Sequence, residues 1–307
     1  MKTAFLFSGQ GAQKLGMAKD LYDEFDIVRE TFDQASQVLG YNLRELIDND
    51  ETKLNETQYT QPAILTTSAA ILRLLSEQGI KPDLVAGLSL GEYSALVASG
   101  ALDFAEAVAL VAKRGQYMTE AAPTGSGKMV AVMNTEAALI EEICEQAAER
   151  GIVSPANYNT PAQIVIGGQA EAVDYAVELL KEAGVKRLIE LKVSGPFHTA
   201  ILKPASEKLA KELEQVNFNS FKLELISNTT AKVMKDSEVK ELLTRQVMEP
   251  VRFYESIETM KALGVQRFIE VGPGKVLSGF IKKIDKEASF TNVEDLTSFK
   301  ALVTEEA

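Results

Sequence analysis

The sequence predicts an α/β protein built on a mostly parallel sheet and interrupted once by a compact unit of its own. Three observations predict it. Short apolar runs alternate with longer segments whose apolar residues recur at helical spacing, the pattern of a parallel sheet covered by helices. A turn-rich linker, Pro123-Thr124-Gly125-Ser126-Gly127, breaks that rhythm. From about 127 to 194 the order becomes β-α-β-β-α-β, and beyond it the first rhythm resumes.

The first strand is expected over 3–8, ending in Gly9-Gln10-Gly11, with helices over 16–25 and 27–39. In Thr60-Gln61-Pro62-Ala63, Thr60 or Gln61 is expected to cap, and Pro62 to enter the first turn of, a helix over 64–78. A buried strand over 84–88 and a helix from Ser89 to Ala98 follow, and a helix over 104–118 leads into the linker. The interrupting unit reads as strand 129–134, helix 136–150, strands 152–157 and 163–167, helix 170–183 and strand 185–193. Tyr158-Asn159-Thr160-Pro161 is taken as the turn between its middle strands. That order is the ferredoxin-like βαββαβ pattern. It implies a large domain of residues 1–124 and 197–307 and an insert of residues 125–196. The large domain resumes with helix 200–216, strand 223–227, helices 238–246 and 254–263, strand 267–270 and helix 274–284. Residues 287–307 are polar and are expected to hold only a short helix.

The 307 residues carry 32 basic and 44 acidic side chains, a net charge of −12, which disfavours nucleic acid or an anionic membrane as partner. One cysteine, Cys144, excludes an intrachain disulfide, and one histidine, His198, disfavours a histidine-rich metal centre. The apolar run over 4–7 is too short for a signal-peptide core, and no stretch reaches the length of a membrane span. A monomer in the cytoplasm, with no permanently bound cofactor or metal, is the expectation.

Two glycine motifs fail. After Gly9 and Gly11, the third glycine of a dinucleotide fingerprint would fall on Lys14. Gly125-Ser126-Gly127-Lys128 lacks the upstream glycine and the following hydroxyl of a phosphate loop, and Gly272-Pro273-Gly274-Lys275 fails in the same way. A third motif survives. Gly87-Leu88-Ser89-Leu90-Gly91 lies between an expected strand and helix, the context of a nucleophile elbow in an α/β-hydrolase-like sheet. There the Leu90 amide and the helix N-terminus favour a developing negative charge.

A serine needs a base to become nucleophilic near neutral pH. His198, in Ser194-Gly195-Pro196-Phe197-His198-Thr199, is the only imidazole and stands where the insert returns to the large domain. A cleft between the two units is the expected site. No carboxylate in a matching turn follows His198, so a Ser–His dyad is expected, its imidazole N–H held by a neutral group.

At this point the chain resembles the malonyl-CoA:acyl carrier protein transacylases, the discrete acyltransferases of bacterial fatty-acid synthesis. The matching segments are FSGQGAQ (7–13), TQPA (60–63), GLSLGEYSALVASG (87–100), RGQYM (114–118), VSPANYN (153–159), SGPFH (194–198), RQVMEPV (245–251) and VGPGKVLSGF (271–280). They occur in family order over nearly the whole length. The resemblance implies Ser89 as nucleophile, His198 as general base and acid, and the backbone amides of Gln10 and Leu90 as oxyanion hole. It implies Arg114 as partner of the malonyl carboxylate and the backbone carbonyl of Gln246 as the group orienting the histidine. Met118, Phe197, Gln61 and Asn157 are implied around the acyl pocket. The family commonly has histidine where this chain has Leu88 and proline where it has Ser8. A side chain at 88 is expected to point away from the hydroxyl, and Ser8 bears on the backbone angle near Gln10.

The reaction so implied is ping-pong transfer of malonyl from coenzyme A, through a malonyl-serine, to the phosphopantetheine thiol of acyl carrier protein. A planar guanidinium suits a free carboxylate because it binds bidentately. Phe197 would crowd an α-methyl group. A serine thioesterase or other hydrolase could use the same elbow, but a patatin-like dyad needs an Asp-Gly that this chain lacks. A non-catalytic carrier-binding scaffold is disfavoured by the intact Ser89, His198 and Arg114. Acyl carrier proteins are typically acidic, so docking on a chain of −12 calls for a local basic patch. The candidates are Lys186, Arg187 and Lys192, or Lys275, Lys282, Lys283 and Lys286.

Overall fold

A computed structural model describes residues 1–306. Its strands are β1 Lys2–Phe7, β2 Leu84–Gly87, β3 Lys128–Met133, β4 Val153–Thr160, β5 Gln163–Gly168, β6 Leu188–Glu190, β7 Glu224–Leu225, β8 Val265–Val271 and β9 Ser289–Val293. Five form one sheet in the order β7-β2-β1-β8-β9, with every pairing parallel.

The central strand shows why its sequence has no polar face. Phe5 and Phe7 enter one core cluster and Ala4 and Leu6 the other, because successive side chains of a strand point to opposite faces. The first face carries helices Asp26–Leu39, Thr57–Glu77 and Phe104–Ala121, and the second carries Phe253–Ala262 and Val276–Ile284. Burying each phenylalanine contributes about 2–3 kcal/mol.

The other four strands form an antiparallel sheet in the order β4-β5-β3-β6. This is the ferredoxin-like arrangement, with helices Ala137–Ala147 and Ala170–Glu182 packed on a core of Val132, Ile140, Ile166, Val173 and Leu180. Cys144 lies in that core, where burial pushes its thiol up to about 12. β4 also touches the large unit. Tyr158 N–H donates to the Val251 carbonyl at 2.8 Å, and Val251 N–H to the Ala156 carbonyl at 2.9 Å. The insert therefore stands against the carboxyl ends of the parallel strands and closes one side of a cleft.

Several elements differ from expectation. Thr60, Gln61 and Pro62 lie inside the helix Thr57–Glu77 and do not cap it. The chain turns helical earlier because the segment before it is helical too, at Leu43–Asn49 and Glu51–Leu54. Asn42 and Asp50 cap these by accepting from Glu45 N–H and Lys53 N–H, each at 3.0 Å. β4 continues through Thr160, so Tyr158, Asn159 and Thr160 are strand residues. The tail holds a strand, β9, as well as the helix Leu296–Glu306. β9 is an edge strand whose Ser289 and Phe290 are exposed, which is why its sequence reads as polar.

Candidate active site

Ser89 is separated from β2 by Leu88 and from helix Gly91–Ala98 by Leu90, with φ of 54°. A left-handed serine on so sharp a turn needs neighbours without side chains. A Cβ on Gly87 would lie 2.0 Å from the Gly91 carbonyl carbon, and one on Gly91 would lie 2.0 Å from the Phe7 carbonyl oxygen. Both elbow glycines are therefore required by close backbone approach, and the second is what lets β1 run beside the elbow. Asn228, just beyond β7, accepts the Ser89 N–H at 2.6 Å and donates its Nδ2 to the Gly87 carbonyl.

His198 also has a positive φ, 61°. Its Nε2 lies 2.7 Å from Ser89 Oγ and its Nδ1 lies 2.7 Å from the Gln246 carbonyl oxygen. A carbonyl can only accept, so Nδ1 carries the proton and Nε2 is left bare to take the serine proton. Burial, and after it the charge of Arg114, lowers the imidazole to about 4, against the pull of its backbone hydrogen bonds. It is thus a neutral base across the physiological range.

Arg114 is 1% exposed, on helix Phe104–Ala121. Its Nη1 donates to Gln61 Oε1 at 2.8 Å, and its Nη2 to Gln246 Oε1 at 2.9 Å and to Ser89 Oγ at 3.3 Å. Its guanidinium carbon stands 5.2 Å from the Tyr93 ring centroid, and its Nε has no acceptor among the described residues. Burial lowers its pKa, opposed by Tyr93 and Glu92.

A cavity of about 740 Å³ opens onto this pair between the two sheets. Gln10, Leu88, Asn157, Phe197 and helix residues Val276 and Phe280 are on its wall with Ser89 and His198. Met118 and Gln61 are not. They lie behind the serine, where Gln61 Nε2 is 3.3 Å from Met118 Sδ, because Arg114 draws Gln61 inward. Gln10 and Leu90 N–H groups have no protein acceptor among the described residues and are free for an oxyanion. Leu88 packs against the core of the sheet's second face and also reaches the cavity wall, nearer the site than expected. Ser8 is buried and its Oγ lacks a partner among the described residues.

Two residues that the sequence did not single out hold the site together. Glu92 is fully buried, and burial raises its carboxyl to about 7. Its oxygens accept from Asn228 N–H at 2.9 Å and from Gln246 Nε2 at 2.6 Å. A lone acid in the otherwise apolar segment after the elbow was the available signal. For Asn228 it was a polar run, Ser227-Asn228-Thr229-Thr230, just past a strand of a parallel sheet, where such folds place their ligands.

A serine hydroxyl on a strained elbow, one bare imidazole nitrogen away in a covered parallel sheet, defines the class of serine enzymes that transfer acyl groups. The known proteins agree with that class. The family model described as "Acyl transferase domain" matches residues 4–300. The malonyl CoA-acyl carrier protein transacylase of Bacillus subtilis is 48% identical over 297 residues, covering 96% of this chain and 94% of the relative. The crystal structure of MCAT from Streptococcus pneumoniae superposes with a TM-score of 0.98 at 67% identity, covering 99% of this chain and all of that one. A type II polyketide acyl-carrier protein in complex with its malonyl-transacylase gives 0.96 at 42%, with coverage of 99% and 100%. The chain belongs to the acyl transferase domain family and, within it, to the malonyl CoA-acyl carrier protein transacylases.

Proposed function

We propose that the chain moves malonyl from coenzyme A to the phosphopantetheine thiol of acyl carrier protein, in fatty-acid biosynthesis, through a malonyl-serine. The contact that carries this reading is the 2.7 Å approach of Ser89 Oγ to a bare His198 Nε2, with the Arg114 guanidinium 3.3 Å behind the same oxygen. In the first half-reaction the serine proton passes to Nε2 as Oγ attacks the thioester carbonyl. The amides of Gln10 and Leu90 receive the oxyanion, each worth about 10²–10³ in rate. The imidazolium then protonates the departing coenzyme A thiolate. In the second half-reaction Nε2 takes the proton of the incoming thiol and returns it to Ser89. The malonyl carboxylate takes the guanidinium donors turned toward the serine, while Gln61 and Gln246 hold the rest. Phe197 and Asn157 line the acyl path, with Met118 and Gln61 behind it.

Arg114 and its buried neighbours form no metal-ligand set: among the described residues no cluster of His, Cys, Asp or Glu could hold a metal ion. No bound cofactor enters this reading; malonyl-CoA and the phosphopantetheine arm are substrates. No helix is long and apolar enough to cross a membrane. A cytoplasmic monomer fits the reading.

The docking patch for the acidic carrier is assigned to helix Val276–Ile284. Val276 is 50% exposed at the cavity mouth. Lys275, Lys282, Lys283 and Lys286 are exposed around it, and the acid among them, Asp285, is held by Lys261 at 3.1 Å. Lys192 faces the mouth from the opposite wall, whereas Lys186 and Arg187 line a different groove beside Met133 and Leu139.

Incubation with malonyl-CoA followed by intact-protein mass spectrometry tests the reaction. A malonyl adduct is expected, absent in Ser89→Ala and discharged by the carrier thiol. Turnover of malonyl-CoA at the same rate with and without thiol would assign a hydrolase instead.

A further inference from the structure

Glu92 is a poor choice for the core. It stands on a helix whose Tyr93, Ala95 and Leu96 are buried with it, and an apolar residue of similar volume there avoids the cost of desolvating a charge. No cation forms an ion pair with it within the described residues. Each carboxylate oxygen instead accepts from an uncharged donor, Asn228 N–H on one and Gln246 Nε2 on the other.

Those two residues reach Ser89, Arg114 and His198. Asn228 holds the elbow from outside through Ser89 N–H and the Gly87 carbonyl. Gln246 holds it from inside. Its Nε2 also donates to the Ser89 carbonyl at 2.9 Å, its Oε1 accepts from Arg114 at 2.9 Å, and its backbone carbonyl accepts His198 Nδ1 at 2.7 Å. The direction of the Gln246 amide follows from its neighbours. A guanidinium can only donate and a carboxylate only accepts, so oxygen must face Arg114 and nitrogen must face Glu92. Without the carboxylate the nitrogen side is held by the Ser89 carbonyl alone.

We propose that Glu92 is the positioning residue of this active site, acting through Gln246 and Asn228 to hold Ser89, His198 and Arg114 in one register. The proposal rests on reading Ser89 and His198 as the reacting pair. It places a carboxylate one residue behind the carbonyl that orients the imidazole, where a catalytic triad has its acid in direct contact. Glu92 touches no substrate and transfers no proton.

Glu92→Gln tests it with little change of volume. The amide now presents a donor to either Asn228 N–H or Gln246 Nε2, so one of the two contacts becomes donor against donor. Because the chain has a single histidine, ¹⁵N-imidazole NMR reads His198 alone in the resting enzyme. The expected result is a displaced or solvent-exchanging Nδ1–H resonance. Acylation per titrated active site should be lower by about 10–100-fold, the scale seen when a group that orients a metal ligand from behind is lost. A purely structural role would lower Tm and the number of titratable sites while leaving the resonance and the per-site rate of the folded enzyme as they were; that result overturns the proposal. Should the Gln variant not fold, Glu92→Asp retains the buried charge but withdraws its oxygens by one methylene, and the same two readouts decide. The resonance needs no substrate, so it still tests Glu92 if acyl transfer itself proves to be the wrong reaction.

Discussion

The Gln246 carbonyl oxygen stands 2.7 Å from His198 Nδ1, and that one contact fixes which imidazole nitrogen is free. A carboxylate in its place would hold the same tautomer and also stabilise the imidazolium. Here burial, and after it the charge of Arg114, disfavours the protonated ring at rest against the pull of this carbonyl. The base is tuned low, which suits proton transfer to and from thiols and serine without the ring being trapped as the cation.

His198 should therefore remain neutral well below the ordinary histidine range. Titration of its imidazole resonances is expected to show a midpoint near 4. The linkage follows in sign. Between the unfolded value of 6.5 and about 4, the unfolded chain binds a proton the native state refuses, so this group's contribution to stability is lost as pH falls through that window. Glu92, raised from 4.5 to about 7, acts oppositely, its contribution falling as pH rises through its own window. A midpoint at or above 6.5 would show that Arg114 and burial do not govern the ring.

Arg114→Ala should separate substrates by charge. Malonyl transfer is expected to fall by about 100-fold or more, the scale of removing one partner of a buried charge pair, while acetyl transfer falls far less. The comparison of kcat/KM for the two thioesters checks it. Equal losses would assign Arg114 to holding Gln61 and Gln246 alone.

Gly91→Ala should damage the elbow through its backbone. The added methyl would meet the Phe7 carbonyl oxygen at 2.0 Å, and relief by parting β1 from the helix costs about 2–3 kcal/mol. Denaturant unfolding measures the loss. An alanine variant of wild-type stability and acylation rate would mean that the approach of Phe7 is not required.

Charge reversal on the helix beside the cavity mouth, Lys282→Glu with Lys283→Glu, should raise KM for acyl carrier protein and leave malonyl-CoA kinetics unchanged. The effect should weaken with added salt, since exposed charges are screened beyond about 10 Å at 0.1 M. If the same reversal at Lys186 and Arg187 raises KM and this one does not, the insert carries the docking surface.

The local chemistry was legible wherever one residue had to do something its neighbours could not. The elbow glycines, the single histidine and the linker at 123–127 all announce themselves in this way. So did the alternating rhythm that becomes a parallel sheet, because residues 4–7 of β1 are buried on both faces and leave no polar position among them. The tail strand β9 was hidden for the opposite reason. An edge strand owes its existence to hydrogen bonds offered by β8, and those cannot be read from Ser289–Val293 itself. The same held for the helices at 43–54, whose caps Asn42 and Asp50 were visible but whose apolar faces are short.

By itself, then, the sequence determined the elbow serine, the one imidazole able to serve it, and the class of sheet that presents them, since these depend on residue type and short-range spacing. Only the tertiary structure decided what holds them. Glu92, Asn228 and Gln246 are separated from one another by 136 and 154 positions for the first with each of the others. Their meaning arises when the ends of β2 and β7 and the C-terminal turn of helix Val239–Gln246 meet at one buried point, where each polar group must find a partner or pay for lacking one. Long-range satisfaction of that kind leaves no local mark on the chain.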